Sequence, residues 1–213
     1  DCTFLAALKE WLDTRREVVE TLARKGCEIQ EVSAEELQKA SLQKNPQDVL
    51  AVFHQRQAEG APEHILKEQL CLGLDGVQDP GNVGAILRTA DAFDCDGVFL
   101  VNACADPYSP KTARATMGAV FRRDVYQCTA DELCALLQKS NLPLYGTALR
   151  NDTVSLRDAE LSHVAVAIGS EGRGLSAEIL SKCEKTIKIP MSPRCESLNA
   201  AVAASVVLWE MYR

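Results

Sequence analysis

The sequence lacks the patterns that would predict a metal site or a disulfide framework. It holds nine cysteines but no C-x-x-C pair, and only three histidines. This spacing argues against zinc, and we expect no bound metal. Several cysteines lie in apolar runs, where they are typical of small buried residues. Reduced thiols suit a cytosolic setting, so we expect a cytoplasmic protein.

Long apolar runs are also missing. No stretch reaches the roughly 20 residues that a membrane-spanning helix needs, so we expect no contact with a membrane. The first residues, "DCTFLAALKEWL", have neither the charged and apolar segments of a secretory signal nor an initiator methionine. The missing methionine indicates either a truncated N-terminus or segments left out of the sequence.

Positive charge is scarce, because 23 Lys and Arg stand against 30 Asp and Glu and give a net charge of −7. Taken alone, this balance weighs against a nucleic-acid partner. Binding depends on a local patch rather than on the total, so the balance does not decide the matter. Basic residues cluster at Arg15–Arg16, Arg24–Lys25, Lys111 with Arg114, and Arg122–Arg123.

Residues 1–55 predict a small α/β domain. Apolar positions among charges over 4–24 indicate one amphipathic helix or two short ones, ended by Gly26. "CEIQEVS" and "DVLAVFHQ" predict strands, and Ser33 is placed to cap a helix between them. The polar stretch 56–69 holds glycine and proline and indicates a linker.

Residues 70–213 show a regular alternation of apolar strands and helical segments. This alternation predicts an α/β domain with a mainly parallel sheet. The expected strands are 70–77, 97–101, 144–149, 163–168 and 185–189, with a further one at 122–128. The expected helices are 83–93, about 110–117, 130–140, 175–182 and 198–212.

The first strand-to-helix loop, in "GVQDPGNVGAILRTADAF", contains neither G-x-G-x-x-G nor G-K-[ST]. Their absence removes a Rossmann dehydrogenase and a nucleotide hydrolase from consideration. Asn82 stands where an N-cap belongs. At about 100° per residue, Arg88 points away from the apolar face of the helix. It is either a solvated surface arginine or a functional group near the end of the strand.

Two further loops follow buried strands. "IGSEGRGL" has three glycines in six residues, which allows a ligand to approach the backbone closely, although an unusual turn would also explain them. Ser176 is placed to cap the next helix. In "IPMSPRCESLNAAVAA", Ser197 as a helix cap and Asn199 as an ordinary first-turn residue are the plain alternatives to functional roles.

The order and wording of these loops resemble the three motifs of the TrmH (SpoU) family of RNA ribose 2′-O-methyltransferases, in the SPOUT class. The matching segments are "NVGAILR", "IGSEGRGL", and "IPM" followed by "ESLNAAVAA". The resemblance covers about 70–213. Residues 1–55 are more loosely similar to the second half of the family's substrate-binding domain, which would make this domain incomplete. Pro193 departs from the family, which usually has glycine there.

The resemblance implies a C-terminal trefoil knot that binds S-adenosylmethionine. Backbone groups of Gly169, Ile189 and Leu198 would hold the cofactor, with Thr147 as a further candidate. The reaction would be methyl transfer to a ribose 2′-hydroxyl. The catalytic residues implied are Arg88, Asn82, Glu171, Ser197 and Asn199.

The resemblance assigns the deprotonation of the ribose hydroxyl to Arg88. An arginine pKa above ~12 conflicts with that role. Either a special environment deprotonates Arg88, or Arg88 stabilises the developing alkoxide while a phosphate or water takes the proton. Asn82 and Glu171 would orient Arg88 and the ribose, and Ser197 and Asn199 would close the site.

The resemblance also implies an RNA substrate and a homodimer. The N-terminal domain favours structured rRNA over tRNA. The alternatives are a tRNA ribose 2′-O-methyltransferase and a non-catalytic RNA-binding member of the fold. The apolar stripe at Leu208, Trp209 and Tyr212 suits a dimer interface, although packing within its own domain would explain it equally well.

Overall fold

The computed structural model describes residues 1–55, 70–195 and 197–213. The expected linker at 56–69 lies outside the described residues. The chain divides into two compact units, Asp1–Arg56 and Gln57–Arg213. Among the helices of the described ranges, none has the length and apolar character needed to cross a membrane. All nine cysteines are free thiols.

The N-terminal unit is a small α/β layer. A three-stranded sheet has the order β2-β1-β3 in the described part of this unit, with β1 parallel to β2 and antiparallel to β3. Its elements are β1 (Cys2–Ala7), α1 (Lys9–Thr14), α2 (Arg16–Arg24), β2 (Glu28–Glu31), α3 (Ala34–Ala40) and β3 (Val49–Phe53).

The expectation of a helix from residue 4 is wrong at its start. Phe4 to Ala7 belong to β1, the central strand, where Leu5 and Ala7 are buried. Two short helices follow, which matches one of the two expected arrangements. Gly26 adopts a φ of 84° directly after α2, as a terminating glycine does. Ser33 caps α3 through a reciprocal capping box with Glu36, which confirms the predicted cap.

The C-terminal unit alternates strands with helices. In residues 70–195 and 197–213 the strands form a seven-stranded sheet of order β6-β5-β4-β9-β7-β10-β8. Its elements are β4 (Leu70–Asp75), α4 (Pro80–Ala92), β5 (Gly97–Val101), α5 (Pro110–Ala115), β6 (Val125–Cys128), α6 (Ala130–Lys139), β7 (Leu144–Thr147), β8 (Val154–Ser155), β9 (Val164–Gly169), α7 (Ala177–Lys182), β10 (Lys185–Lys188) and α8 (Ala200–Tyr212).

All the pairings within this sheet are parallel, which confirms the predicted α/β class. The short strand β8 was not predicted from the sequence. The trefoil knot stays a prediction of the family resemblance.

The interior strand β4 is buried on both faces. Leu72 and Leu74 pack in the cluster that contains α4 and α8, whereas Cys71 packs in the cluster that contains α6 and α7. This division follows from the alternation of side chains along a strand. Helices therefore cover both faces, and the loops at the carboxyl ends of the strands remain as the place for a ligand.

The apolar stripe of α8 is split between core and surface. Leu208 is fully buried in the core of its own unit, so the alternative of packing within its own domain holds for this residue. Trp209 and Tyr212 are 54% and 58% exposed. Both rings contact Phe93, with centroids 5.7 and 5.6 Å from its centroid.

Candidate active site

The first motif loop leads directly into α4. Asp79 is the N-cap, and its side chain accepts a hydrogen bond from the backbone N–H of Asn82 (2.9 Å). The expectation that Asn82 caps this helix was wrong, because Pro80 fills the first helical position, where its missing N–H costs nothing. That hydrogen bond from Asn82 is the main cause that lowers the pKa of the Asp79 carboxyl. Asn82 thus lies in the first turn with its side chain free for other partners.

The second motif loop folds back on itself. Ser170 N–H donates to the Gly174 carbonyl (3.1 Å), and Gly174 N–H donates to the Ser170 carbonyl (2.8 Å). Gly174 has a φ of 66°, and a Cβ added to Gly169 would overlap the backbone of Gly174. Gly169 is therefore required by the close approach of the two ends of the loop, and Gly174 is required by its positive φ. Ser176 caps α7, as predicted.

A buried carboxylate at the end of β4 anchors this loop. Asp75 is 4% exposed. One of its oxygens accepts from the backbone N–H of Ser176 (2.6 Å), and the other accepts from the side-chain amide of Asn102 (2.5 Å). Sequence reasoning missed Asp75, although a carboxylate at the end of an apolar run was a visible signal.

The third motif brings Asn199 to both other loops. Asn199, not Ser197, caps α8, and its Oδ1 accepts from the backbone N–H groups of Ala201 (2.9 Å) and Val202 (3.3 Å). The alternatives of a capping Ser197 and a first-turn Asn199 are therefore both wrong. The Nδ2 of Asn199 donates to Glu171 Oε1 (2.5 Å) and to Asn82 Oδ1 (3.0 Å).

Asn82, Glu171 and Asn199 form a closed cluster, which we call the polar cluster. Asn82 Nδ2 also donates to Glu171 Oε1 (2.6 Å), and Ala200 N–H approaches the same oxygen at 3.4 Å. Within the described ranges, the other carboxylate oxygen of Glu171, Oε2, accepts no hydrogen bond. The cluster thus holds Glu171 by one oxygen and leaves its second oxygen available to a ligand.

A cavity of about 280 Å³ opens beside the polar cluster. The four residues expected to hold a cofactor, Thr147, Gly169, Ile189 and Leu198, all line it, and so does Ser197. Apolar side chains form much of the remaining wall, namely Leu149, Ile168, Ile187 and Met191. In the part of the chain that the structure describes, the backbone N–H groups of Met191 and Leu198 have no hydrogen-bond partner.

A second cavity of about 240 Å³ has a more polar wall. It shares Ser170, Glu171 and Ala200 with the first cavity. Its other lining residues are Gly76, Val77, Gln78, Asp79, Asn82, Gly172 and Arg173. Two members of the polar cluster, Asn82 and Glu171, therefore face this cavity, and Glu171 lies where the two cavities adjoin.

Arg88 lies outside these contacts. It is exposed on α4, as predicted, and it lines neither cavity. Among the described residues, its side chain makes no hydrogen bond or ion pair. No group of three His, Cys, Asp or Glu side chains there is arranged to hold a metal ion. The structure brings Asn82, Glu171 and Asn199 together and does not bring Arg88 into contact with them.

The fold and the site together define a class of protein: an α/β protein whose loops at the carboxyl ends of a parallel sheet enclose two adjoining cavities. Residues 69–209 match the model of the SpoU rRNA Methylase family, and residues 4–58 match a model of RNA 2'-O ribose methyltransferase substrate binding. The chain belongs to the SpoU (TrmH) family, which confirms the resemblance inferred from its three motifs.

Known proteins of this family resemble the chain over different lengths. The 23S rRNA (guanosine(2553)-2'-O)-methyltransferase RlmP of Bacillus subtilis is 33% identical over 166 residues, which are 78% of this chain and 65% of that protein. The crystal structure of an AdoMet-bound rRNA methyltransferase from Sinorhizobium meliloti has a TM-score of 0.86 and 28% identity, and it covers 99% of this chain and 79% of its own.

A solved structure that concerns the 2-OH methylation of C/U34 on tRNA has a TM-score of 0.59 and 31% identity. The match covers 68% of this chain and 95% of that one. The chain spans 65%, 66% and 57% of the length of three curated relatives that it matches.

Proposed function

We propose that this protein transfers a methyl group from S-adenosylmethionine to the 2′-hydroxyl of a ribose in structured rRNA. The observation that carries the proposal is the polar cluster, which holds Glu171 at the boundary between an apolar and a polar cavity. A transfer reaction needs two substrates to meet at one point, and this boundary offers that point. The family membership and the rRNA methyltransferases among the relatives support the same reaction.

The first cavity fits S-adenosylmethionine. Its apolar wall suits an adenine ring. The backbone N–H groups of Met191 and Leu198, which have no partner among the described residues, offer the few polar contacts that fix such a ligand. Thr147, Gly169, Ile189 and Leu198 would hold the cofactor, with Ser197 closing the cavity. When bound, the cofactor supplies an electrophilic methyl group on its sulfonium.

The polar cluster would position the acceptor ribose. Asn82 and Asn199 fix Glu171 by hydrogen bonds to Oε1, which pre-organises the carboxylate. Oε2 then remains free to accept a hydrogen bond from a ribose hydroxyl. Such an arrangement orients the substrate without any rearrangement of the protein.

Arg88 lines neither cavity of its own chain, so we assign it to the site of the second copy in the proposed homodimer, where it would stabilise the alkoxide that develops on the ribose. A guanidinium keeps its proton at neutral pH, so we assign the proton itself to a phosphate or water. Arg88 is exposed and has no ion-pair partner in the described ranges, which leaves its charge free for RNA.

rRNA is favoured over tRNA as the substrate by the extent of the matches. The rRNA methyltransferase structure matches 99% of the chain, whereas the structure concerned with tRNA matches 68%. The N-terminal unit, which matches the substrate-binding model over residues 4–58, would contact the RNA. Residues 56–69 would link it to the methyltransferase domain at 70–213. An RNA substrate and nine free thiols also support a cytoplasmic location.

A homodimer through α8 belongs to the same proposal. Val202, Trp209 and Tyr212 are 49%, 54% and 58% exposed, which is unusual for apolar side chains at one helix face. Burial of this face against a second copy would remove the apolar surface from water.

The test is methylation of RNA transcripts with a radiolabelled methyl donor. We expect the wild-type protein to label a transcript of 23S rRNA and to leave tRNA transcripts unlabelled. We also expect S-adenosylmethionine to raise the Tm, because it binds the native state, and NAD and ATP to leave the Tm unchanged. Tight RNA binding without label in either RNA would instead identify a non-catalytic member of the family, and label in tRNA alone would reverse the choice of substrate.

A further inference from the structure

We infer that the second cavity receives the acceptor nucleotide, with Arg173 binding an RNA phosphate and Gln78 the edge of the base. The inference rests on the proposed function and adds to it the two residues that select the substrate. Neither residue belongs to the polar cluster or lines the first cavity.

The two cavities share part of their wall, and the rest of each wall indicates which substrate it binds. Ser170, Glu171 and Ala200 line both cavities, so a ligand in one lies next to a ligand in the other. The first cavity has the apolar wall that suits the cofactor. The second is lined by polar groups, which suits a nucleotide.

The size of the second cavity indicates a single unpaired nucleotide. A volume of about 240 Å³ is close to that of the first cavity and near the lower end of the ~300–1,000 Å³ usual for small-molecule pockets, so it suits one nucleotide. It does not admit a helical segment of RNA. The target nucleotide would therefore come from a loop or would be rotated out of its stack, as is usual where enzymes modify nucleic acids.

The polar groups of this cavity divide into two sets. Asp79, Asn82 and Glu171 already bond to other parts of the protein. Gln78, Ser170 and Arg173 make no side-chain hydrogen bond within the described ranges, and both Gln78 and Arg173 are exposed. The second set is thus the one available to RNA.

The chemistry of the two free side chains assigns their partners. Arg173 can only donate hydrogen bonds, and it carries the charge that a phosphate requires. It lies between Gly172 and Gly174, and a Cβ added to Gly172 would meet nothing within 4 Å, so an RNA backbone can approach. The Asp79 carboxylate is occupied as a helix cap and pairs with Lys111 Nζ at 3.5 Å. Gln78 offers one acceptor and two donor hydrogens, which is the set that reads a base edge.

The test compares the salt dependence of RNA binding among variants. Dissociation constants for a 23S rRNA transcript would be measured over a salt series for Arg173→Ala, Arg173→Lys and Gln78→Ala. Arg157→Ala and Gln138→Ala are the matched controls, because both residues are exposed and neither lines either cavity. The affinity for S-adenosylmethionine would be measured in parallel by calorimetry.

We expect Arg173→Ala to weaken RNA binding about tenfold and to reduce the slope of log K against log salt by about 0.7, the value for one single-strand phosphate contact. Arg173→Lys should restore the slope because it restores the charge. Gln78→Ala should lower kcat/KM for RNA about tenfold with the slope unchanged. The two controls should match the wild type in all these measurements.

Two results would overturn the inference. One is an unchanged salt slope for RNA binding in Arg173→Ala. The other is a loss of affinity for S-adenosylmethionine in Arg173→Ala or Gln78→Ala, which would assign the second cavity to the cofactor. If the wild type methylates no transcript, the proposed reaction fails, whereas the salt slopes still report on Arg173.

Discussion

Asp75 and Ser176 lie 101 positions apart in the chain, and a carboxylate oxygen of Asp75 accepts a hydrogen bond of 2.6 Å from the backbone N–H of Ser176. This contact ties the end of the interior strand β4 to the start of α7. The loop between β9 and α7 carries Glu171, so the contact fixes the base from which Glu171 reaches Asn82 and Asn199. A carboxylate at the start of a helix also interacts favourably with the helix dipole.

The first prediction concerns this anchor. Asp75→Ala removes the buried carboxylate that accepts from the N–H of Ser176 and the amide of Asn102, and a hydrogen bond to a charged group contributes about 1.5–3 kcal/mol. We expect a lower free energy of unfolding and weaker binding of S-adenosylmethionine. Asp75→Asn keeps one acceptor and should lose less. Denaturant unfolding and calorimetry check this, with the exposed Asp158→Ala as control; an Asp75→Ala protein as stable as this control would refute it.

The second prediction concerns Arg88. Its side chain is exposed and packs in no core cluster, so Arg88→Ala and Arg88→Lys should both fold and bind S-adenosylmethionine. Each should lose methyl transfer by at least ~10²-fold, the scale for removal of one charge-stabilising donor. Lysine should not restore the rate, because it lacks the planar fork of arginine. Steady-state methylation measures the rates, and a near-normal rate for the alanine variant would make Arg88 only a surface residue.

The third prediction concerns the second motif loop. In Gly169→Ala the added Cβ would overlap the backbone of Gly174, so the loop must move. We expect loss of cofactor binding and a Tm several degrees lower. Gly172→Ala is the matched control, because its Cβ meets nothing within 4 Å and a surface change of this kind costs within about 0.5 kcal/mol. The Tm of each variant would be measured with and without S-adenosylmethionine. If the cofactor raises the Tm of both variants equally, the loop is not as rigid as expected.

The fourth prediction concerns assembly. Trp209→Glu should convert a dimer into a folded monomer, because it places a charge on the exposed apolar face of α8. Leu208→Glu should instead unfold the protein, because Leu208 is fully buried. Light scattering with circular dichroism distinguishes the two. The control Val18→Glu, at an exposed apolar residue of the N-terminal unit, should remain dimeric. A monomeric wild type would refute the interface.

Strands that are buried on both faces made the parallel sheet predictable from the sequence. Each of them is a short apolar run, and such runs alternate with helical periods along residues 70–213. The segment "FLAAL" near the N-terminus was misassigned because its apolar residues suit a helix and a strand equally well. Its pairing with β2 and β3 decides between the two, and that pairing depends on residues as distant as Phe53.

The candidate site was predictable only where a motif marks it. The three motif loops supplied Asn82, Glu171 and Asn199, which the structure joins by hydrogen bonds. The cap of α4 was misassigned to Asn82, because Pro80 begins this helix and the cap is therefore Asp79. Asp75 is visible as a carboxylate at the end of an apolar run, but its anchoring role could not be predicted because its partner Ser176 is 101 positions away.

The parallel pairing of β4 with β9 has a consequence for the order of folding. During synthesis, β9 follows β4 only after β5, β6, β7 and β8 have been made, a delay of about 5–20 s at usual rates of translation. In that interval one edge of an apolar strand has no partner, which is the state that chaperones recognise. Nascent chains stalled before β9 should therefore be readily cleaved by protease, whereas chains that extend beyond α8 should resist it.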